Sequence, residues 1–285
     1  MEKRISILGG DLRIVNLAKM LLKDGFEIYT FALEKSQELQ EMEPIHFCSS
    51  LQELMKQSNT ILTAIPLSKD GTVVNTPYSD SVVTIEAFYQ NSKGKRIISG
   101  KLEESFKEDE TTEVYDILEE EEYAIFNAIA TAEGAIQVAM EEFPKTLSGS
   151  NILVLGFGRI GKIVAKMLQG IGAKVYCEAR KKEDLAYIQA FGYTPIDLQD
   201  LNENLAKFDI IINNIPTLIL DKTRLDLLKK EVLIIDLASK PGGVDFAYAK
   251  QQNIKTIWAL ALPGKVAPVS AAEYIKKVLY HKIQR

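Results

Sequence analysis

The chain is poor in the residues that staple or metallate small proteins. It has two cysteines, Cys48 and Cys177, and two histidines, His46 and His281, in 285 residues. Two thiols make no disulfide framework, and so few Cys and His exclude a zinc cluster, so no metal site is expected. No run of eighteen uncharged apolar residues occurs, so no transmembrane helix is expected. The apolar run 5–8 near the N-terminus is too short for a signal peptide. Positive charge is also scarce. Thirty-four Lys and Arg against 39 Asp and Glu leave −5 at pH 7, which argues against general binding to nucleic-acid backbones. Neither a G-x-S-x-G elbow nor a P-loop occurs. The expected setting is a reducing cytoplasm, with neither nucleic acid nor membrane as partner.

What is present is ordinary globular material, 46% apolar and 26% charged, and long enough for two domains with sizeable cores. Short apolar runs alternate with helical patterns. Runs at 5–8, 26–31, 60–65 and 96–99 read as strands of one parallel sheet. Asp11 follows Gly9-Gly10 as a helix cap, ahead of Ile14, Leu17, Ala18, Leu21 and Leu22 at 3.6-residue spacing. Eleven of the twenty residues 103–122 are acidic, readable as an acidic contact surface or as the solvated face of a connecting helix. Residues 123–143 form a strong helical pattern with Ile125, Ile129, Ala132, Ile136 and Met140 on one face. Runs at 152–155, 174–177, 209–213, 232–236 and 256–260 read as a second set of strands, and 269–283 as a closing helix. The expected fold is α/β, with two doubly wound parallel-sheet domains. A flavodoxin-like substrate domain covers 1–110, a connector helix 111–146, a Rossmann NADP-binding domain 147–265, and a helix returning to the first domain 266–285.

The most informative motif is Gly156-Phe157-Gly158-Arg159-Ile160-Gly161, a G-x-G-x-x-G between an apolar strand and an amphipathic helix. Gly156 permits a tight turn, Gly158 lets a pyrophosphate approach the backbone, and Gly161 lets helix and strand pack closely. The helix N-terminus offers free N–H groups and a positive dipole end to phosphates. The competing reading is a turn that only packs helix on strand. About 20 residues past the last glycine, where NAD enzymes usually carry an acid, the chain has Ala179-Arg180-Lys181-Lys182. Three cations in a row suit a 2′-phosphate, so NADP is expected over NAD. Glu178 is the rival, and NAD is admitted if the strand ends there.

Strand ends elsewhere supply further candidates. Asn214, Ile215 and Pro216 follow one strand, with Pro216 able to wall a nicotinamide pocket. Asp236-Leu237-Ala238-Ser239-Lys240-Pro241-Gly242-Gly243 closes another. There Asp236 accepts hydrogen bonds, Ala238 and Ser239 meet cofactor or substrate, and Lys240 binds a carboxylate or serves as an acid. Pro263 and Gly264 lie on a third loop of the same edge. In the first domain, Arg13, Ser68 and Lys69 suit an anionic substrate. Thr131 and Glu133 lie on the connector near an expected interdomain cleft, with Glu133 an acid/base candidate. Neither histidine has an acid at a helpful sequence offset, so a His–acid dehydrogenase dyad is not apparent. The two cysteines read as packing residues.

Gly9-Gly10-Asp11, Thr131-Ala132-Glu133-Gly134, the 156–161 fingerprint, Ala179-Arg180, Asn213-Asn214-Ile215-Pro216, residues 236–243 and Leu262-Pro263-Gly264-Lys265-Val266-Ala267-Pro268 occur in order. Together they resemble the A-subunit family of bacterial dipicolinate synthases, over nearly the whole chain. The resemblance is most specific in D-L-A-S-(K/R)-P-G-G and L-P-G-x-V-A-P. Lys240 stands where Arg is common in the family, and Ala130 where Pro is common. The broader fold resembles formate/glycerate and alanine dehydrogenases. The resemblance implies oxidation of dihydrodipicolinate, or of its hydroxylated tetrahydro precursor, to pyridine-2,6-dicarboxylate with reduction of NADP. It also implies a spore-forming bacterium's mother-cell cytoplasm and, for a partner, a flavoprotein-like B subunit; a homo-oligomer is expected too. Aromatisation needs a base, for which Glu133 and Asp236 are the candidates, with Lys240 holding a carboxylate. The other readings are a D-2-hydroxyacid or amino-acid dehydrogenase, and a non-catalytic NADP-binding regulatory subunit.

Overall fold

The structure is a computed structural model that describes residues 3–107 and 110–283. Residues 108 and 109 of the acidic segment, and the outermost residues of the spans expected to start at 1 and finish at 285, lie outside the described residues. The chain divides into two units, Met1–Phe126 with Ala267–Arg285, and Asn127–Val266.

In the first unit six strands form one sheet: β1 (Arg4–Leu8), β2 (Glu27–Phe31), β3 (Ile45–Phe47), β4 (Thr60–Thr63), β5 (Arg96–Ser99) and β6 (Glu113–Asp116). Their order is β3-β2-β1-β4-β5-β6, with every pairing parallel. All six strands give the Rossmann order 3-2-1-4-5-6, and the expected flavodoxin-like order 2-1-3-4-5 describes only the five strands without the three-residue edge strand β3. The inner strands are apolar on both faces because helices cover both, and Ile5, Ile7, Ile61, Leu62, Ile97 and Ile98 are buried. Helix α1 (Leu12–Lys23) starts where expected. The Asp11 carboxylate accepts from Arg13 N at 3.1 Å, and Ile14, Leu17, Ala18 and Leu21 are buried. Helix α2 (Ile85–Asn91) is capped by Thr84, whose hydroxyl accepts from Ala87 N.

The second unit repeats the scheme with β7 (Asn151–Leu155), β8 (Lys174–Ala179), β9 (Thr194–Asp197), β10 (Ile210–Asn213), β11 (Leu233–Asp236) and β12 (Lys255–Trp258). The order β12-β11-β10-β7-β8-β9, parallel throughout, is the Rossmann order.

The span 111–146 is not one connector. It opens with β6, which pairs with β5, and the long helix α3 (Glu121–Glu142) begins only after it. Asp116 ends that strand, and its buried carboxylate accepts from Leu102 N and Leu118 N. Within the acidic segment Glu113 and Asp116 therefore belong to a strand, while its other described acids are exposed or half-buried. The buried stripe of α3 also differs from expectation. Ile125 and Met140 are 44% and 56% exposed, whereas Ala128, Ala132, Ala135 and Ala139 are buried. At Gly134 the Leu262 side chain comes close: a Cβ there would lie 2.9 Å from Leu262 Cβ. Helices α4 (Arg159–Ile171), α5 (Lys182–Ala190) and α6 (Leu262–Val266) belong to the second unit, and α7 (Pro268–Ile283) to the first. Helix α7 packs on α1, and Lys276 pairs with Asp24 at 2.6 Å at the end of α1. Among the described residues, no helix is long and apolar enough to cross a membrane.

Arg13 lies under the first glycine turn with 9% of its surface exposed. Its guanidinium meets both Asp11 oxygens (2.9 and 2.8 Å), donates to the Ile65 carbonyl and bonds the buried Tyr123 hydroxyl. Burial works to lower the Arg13 pKa, but Asp11 and Tyr123 outweigh it and hold the group above its ordinary value. Replacing Asp11 removes a helix cap and strands a buried cation. Asp11→Ala is therefore expected to lower unfolding free energy by about 2 kcal/mol or more in urea titrations. A change under about 0.5 kcal/mol would refute that assignment.

Candidate functional site

The strand order of the second sheet switches to the other side of β7 between parallel strands β7 and β10, the position at which open α/β sheets bind ligands beyond their carboxyl ends. Gly156 follows β7 with φ +85°, a conformation that favours glycine. A Cβ on Gly161 would sit 2.1 Å from Gly156 O, so only glycine lets α4 approach the turn. At Gly158 a Cβ would meet nothing within 4 Å. Gly158 is also the N-cap of α4, and no side chain caps the helix there. With no side-chain cap at Gly158, the N-terminus of α4 suits an incoming anion.

Asparagines from the end of β10 hold this turn. Asn214 Nδ2 donates to Leu155 O (2.6 Å) and Gly156 O (3.0 Å). Asn213, fully buried, donates to Asp236 Oδ1 (2.8 Å) and Ile215 O (3.1 Å) and accepts from Ile215 N (3.1 Å). Asp236 also accepts from Ala238 N (3.0 Å) and Gly243 N (2.8 Å). A Cβ on Gly243 would fall 2.2 Å from Asn213 Nδ2. The ends of β7, β10 and β11 are therefore one hydrogen-bonded unit.

The structure reassigns several predicted residues. Asp236, an acid/base candidate by sequence, is wholly buried with three donors on its oxygens. Lys182 does not stand free for a 2′-phosphate: its Nζ pairs with Asp197 at 2.7 Å. Arg13, a substrate candidate by sequence, is held by Asp11, Ile65 and Tyr123. Thr131 is buried and donates to Asn127 O (2.9 Å) within its own helix. Ser68 bonds within its loop, to Asp70 and Gly71 N. Arg180, Lys181, Ser239, Lys240, Pro216 and Glu133 are exposed. Phe157, Ala179, Ala238 and Pro263 are buried, while Ile160, Ile215 and Gly264 are partly so, and Arg159 opens α4. The histidines do have acidic neighbours: His46 Nε2 lies 3.7 Å from Glu27, and His281 Nδ1 lies 3.5 Å from Glu122. These pairs join residues distant in sequence, so offsets cannot show them, and both lie in the first unit. Burial pushes the Cys48 and Cys177 thiols up to about 11 and about 12, which keeps them protonated and unreactive at neutral pH.

Glu178, the rival to the basic run, and Asn213, which sequence spacing does not single out, both prove central. β8 runs one residue past Glu178, to Ala179. The Glu178 side chain turns beneath the glycine loop, where Oε2 accepts from Gly156 N at 3.1 Å. Its Oε1 is buried without a hydrogen-bond partner among the described residues. An orphaned carboxylate oxygen beside a bare helix N-terminus fits the ribose hydroxyls of a dinucleotide. The one sequence signal for Asn213 is an amide closing an otherwise apolar run, Ile210-Ile211-Ile212.

Gly161→Ala is expected to lose about 1–3 kcal/mol of stability through overpacking. Gly158→Ala is expected to keep its Tm and lose dinucleotide affinity. Thermal melts beside cofactor titrations separate the two, and equal Tm losses would contradict the glycine assignments. Burial raises the Glu178 pKa, against the pull of the Gly156 N–H and the charges of Arg180 and Arg224. The folded state therefore holds this proton more tightly than the unfolded chain. The stability it confers is present below the ordinary carboxylate range and lost as pH rises through the folded value. Glu178→Gln is expected to match the wild type at about pH 4 and to exceed it at about pH 8 in urea melts. A variant less stable at the higher pH would reverse the sign.

Comparison with known proteins agrees with this geometry. Residues 4–117 match the family of N-terminal domains of the dipicolinate synthase A subunit. Residues 125–241 match "D-isomer specific 2-hydroxyacid dehydrogenase, NAD binding domain". The chain is 31% identical over 281 residues to the dipicolinate synthase A subunit of Bacillus subtilis (strain 168), covering 97% of this chain and 94% of that protein. The crystal structure of the dipicolinate synthase A subunit from Bacillus halodurans superimposes with a TM-score of 0.90 at 28% identity, covering 100% of this chain and 99% of that one. The corresponding Bacillus subtilis structure gives 0.87 at 30%, covering 100% and 96%. The chain belongs to the A-subunit family of dipicolinate synthases, and its second half carries an NAD-binding domain of dehydrogenase type.

Proposed function

We propose that this protein is the NADP-dependent oxidoreductase subunit of a dipicolinate synthase. It oxidises dihydrodipicolinate, or the hydroxylated tetrahydro precursor after loss of water, to pyridine-2,6-dicarboxylate. The observation that carries this reading is the bare N-terminus of α4 over an open Gly158, with the orphaned Glu178 oxygen beside it. When bound, the nicotinamide supplies the acceptor for the hydride that leaves the dihydro ring. The remaining ring proton goes to a base.

The chain's own residues divide the work. The α4 N–H groups and Gly158 receive the pyrophosphate. Arg180 and Lys181, exposed at the end of β8, hold the 2′-phosphate, and Glu178 takes a ribose hydroxyl. Asn214, Ile215, Pro216, Ala238 and Ser239 lie on the loops expected to flank the rest of the cofactor, and Pro263 and Gly264, which the sequence placed on a loop, lie in helix α6. Glu133 is the proposed base. It is exposed on α3, one residue before the glycine that abuts Leu262. Lys240 and Lys69 are the proposed carboxylate partners, while the Ser68 hydroxyl stays committed to Asp70 and Gly71. A B subunit completes the enzyme, a reading supported by the family's division into lettered subunits, in the mother-cell cytoplasm of a sporulating bacterium.

Titration with both cofactors tests the central claim. NADP is expected to bind more tightly than NAD. A charged hydrogen bond contributes about 1.5–3 kcal/mol, so Arg180→Ala should weaken NADP roughly 10- to 100-fold and leave NAD nearly unchanged. A clear preference for NAD overturns the NADP assignment. Full turnover by Glu133→Gln with the B subunit present would remove Glu133 from the mechanism.

A further inference from the structure

In the first unit, the loops after β4 and β5 enclose a cavity of about 310 Å³ at the carboxyl ends of those strands. That is the lower end of the range for small-ligand sites, about 300–1,000 Å³. Its wall is apolar and aromatic, from Leu67, Ile85, Tyr89 and Leu102. Tyr89 is backed by Phe106, whose ring stacks on it at 4.0 Å and 11°. Two ammonium groups, Lys69 and Lys101, line the same cavity, and neither has a hydrogen-bond or ion-pair partner among the described residues.

The cavity is held open by backbone contacts independent of any ligand. Leu67 N donates to Gly100 O at 2.7 Å, and Leu102 N donates to the Asp116 carboxylate at 3.0 Å. Two acids also line it. Asp70 Oδ1 is committed to Ser68 Oγ, Thr72 N, Thr72 Oγ1 and Val73 N, which hold that carboxyl well below the usual range; Glu103 is exposed. Lys101 between the two hydrogen-bonded loops has φ +60°, a conformation unfavourable for a side chain with a Cβ. Glycine would adopt it freely, yet a lysine stands there.

We propose that this cavity binds a flat, carboxylated ring, with Lys69 and Lys101 as its carboxylate partners and Tyr89 against the ring. The inference rests on the ring diacid of the proposed reaction and adds Lys101 and Tyr89 as specificity-determining residues. Apolar walls alone would take an uncharged ring, and two lysines alone a linear diacid. The combination selects a compound that is both cyclic and anionic.

Isothermal titration of the full chain with pyridine-2,6-dicarboxylate, benzoate and glutarate tests it. The ring diacid is expected to bind most tightly of the three. Lys101→Gly is expected to weaken it at least about 10-fold while raising Tm by about 2 °C, because glycine relieves the positive φ. Lys101→Arg should retain most of the affinity, and NADP affinity should be unchanged in both variants. Wild-type affinity in Lys101→Gly and in Lys69→Met would overturn the inference while leaving the dinucleotide reading intact. A wild-type chain that binds no ring diacid would overturn the inference together with the substrate reading.

Discussion

The second half of this protein is organised around one buried hydrogen bond, from Asn213 Nδ2 to Asp236 Oδ1. Both groups are fully buried at the ends of adjacent apolar strands, and an unmet amide or carboxylate there would be costly. Each polar atom of both side chains is therefore hydrogen-bonded, and these contacts fix pieces of loop. Asp236 gathers Ala238 and Gly243, Asn213 folds Ile215 back, and Asn214 clamps the carbonyls of Leu155 and Gly156. The glycine turn is thus held in place from the neighbouring strand rather than by its own sequence alone. A cofactor meeting such a turn finds N–H groups already aimed, with little ordering left to do.

The first sheet offers an instructive contrast. It too has a glycine turn after its first strand, and its strand order switches sides at the same topological point. Yet that turn is filled from within. Asp11 already caps α1, Arg13 and Tyr123 lie beneath it, and Gly10 N donates to Asn75 O. A side-chain carboxylate occupies the place where a phosphate would otherwise gain from the helix N-terminus. Two sheets with one strand order therefore carry different chemistry: an acid caps the helix after the glycines in one, and an uncapping glycine stands at that position in the other.

Close approach, more than hydrophobic surface, shapes the long helix α3. A stripe of Ile125, Ile129, Ala132, Ile136 and Met140 is what periodicity alone selects, and of these Ala132 and Ile136 are buried. The structure instead buries the alanines and leaves the two outer members of that stripe exposed, because Gly134 lets the helix sit against Leu262. Periodicity records that one face is buried, and packing distance decides which one.

Residue order alone was enough for the fold class, the glycine turn, the Asp11 cap and the family, since each rests on local spacing or on ordered short motifs. It was not enough for the strand at Glu113–Asp116 or for the acidic neighbours of the two histidines. Nor did it show which strand-end carboxylate is fully hydrogen-bonded: Asp236 and Glu178 look alike as acids at strand ends. Packing in three dimensions makes the distinction, because both Asp236 oxygens accept from Asn213, Ala238 or Gly243 while Glu178 keeps one oxygen without a hydrogen-bond partner among the described residues. Hydrogen-bond satisfaction in a parallel sheet is settled between strands far apart in the chain, where residue order carries no distance.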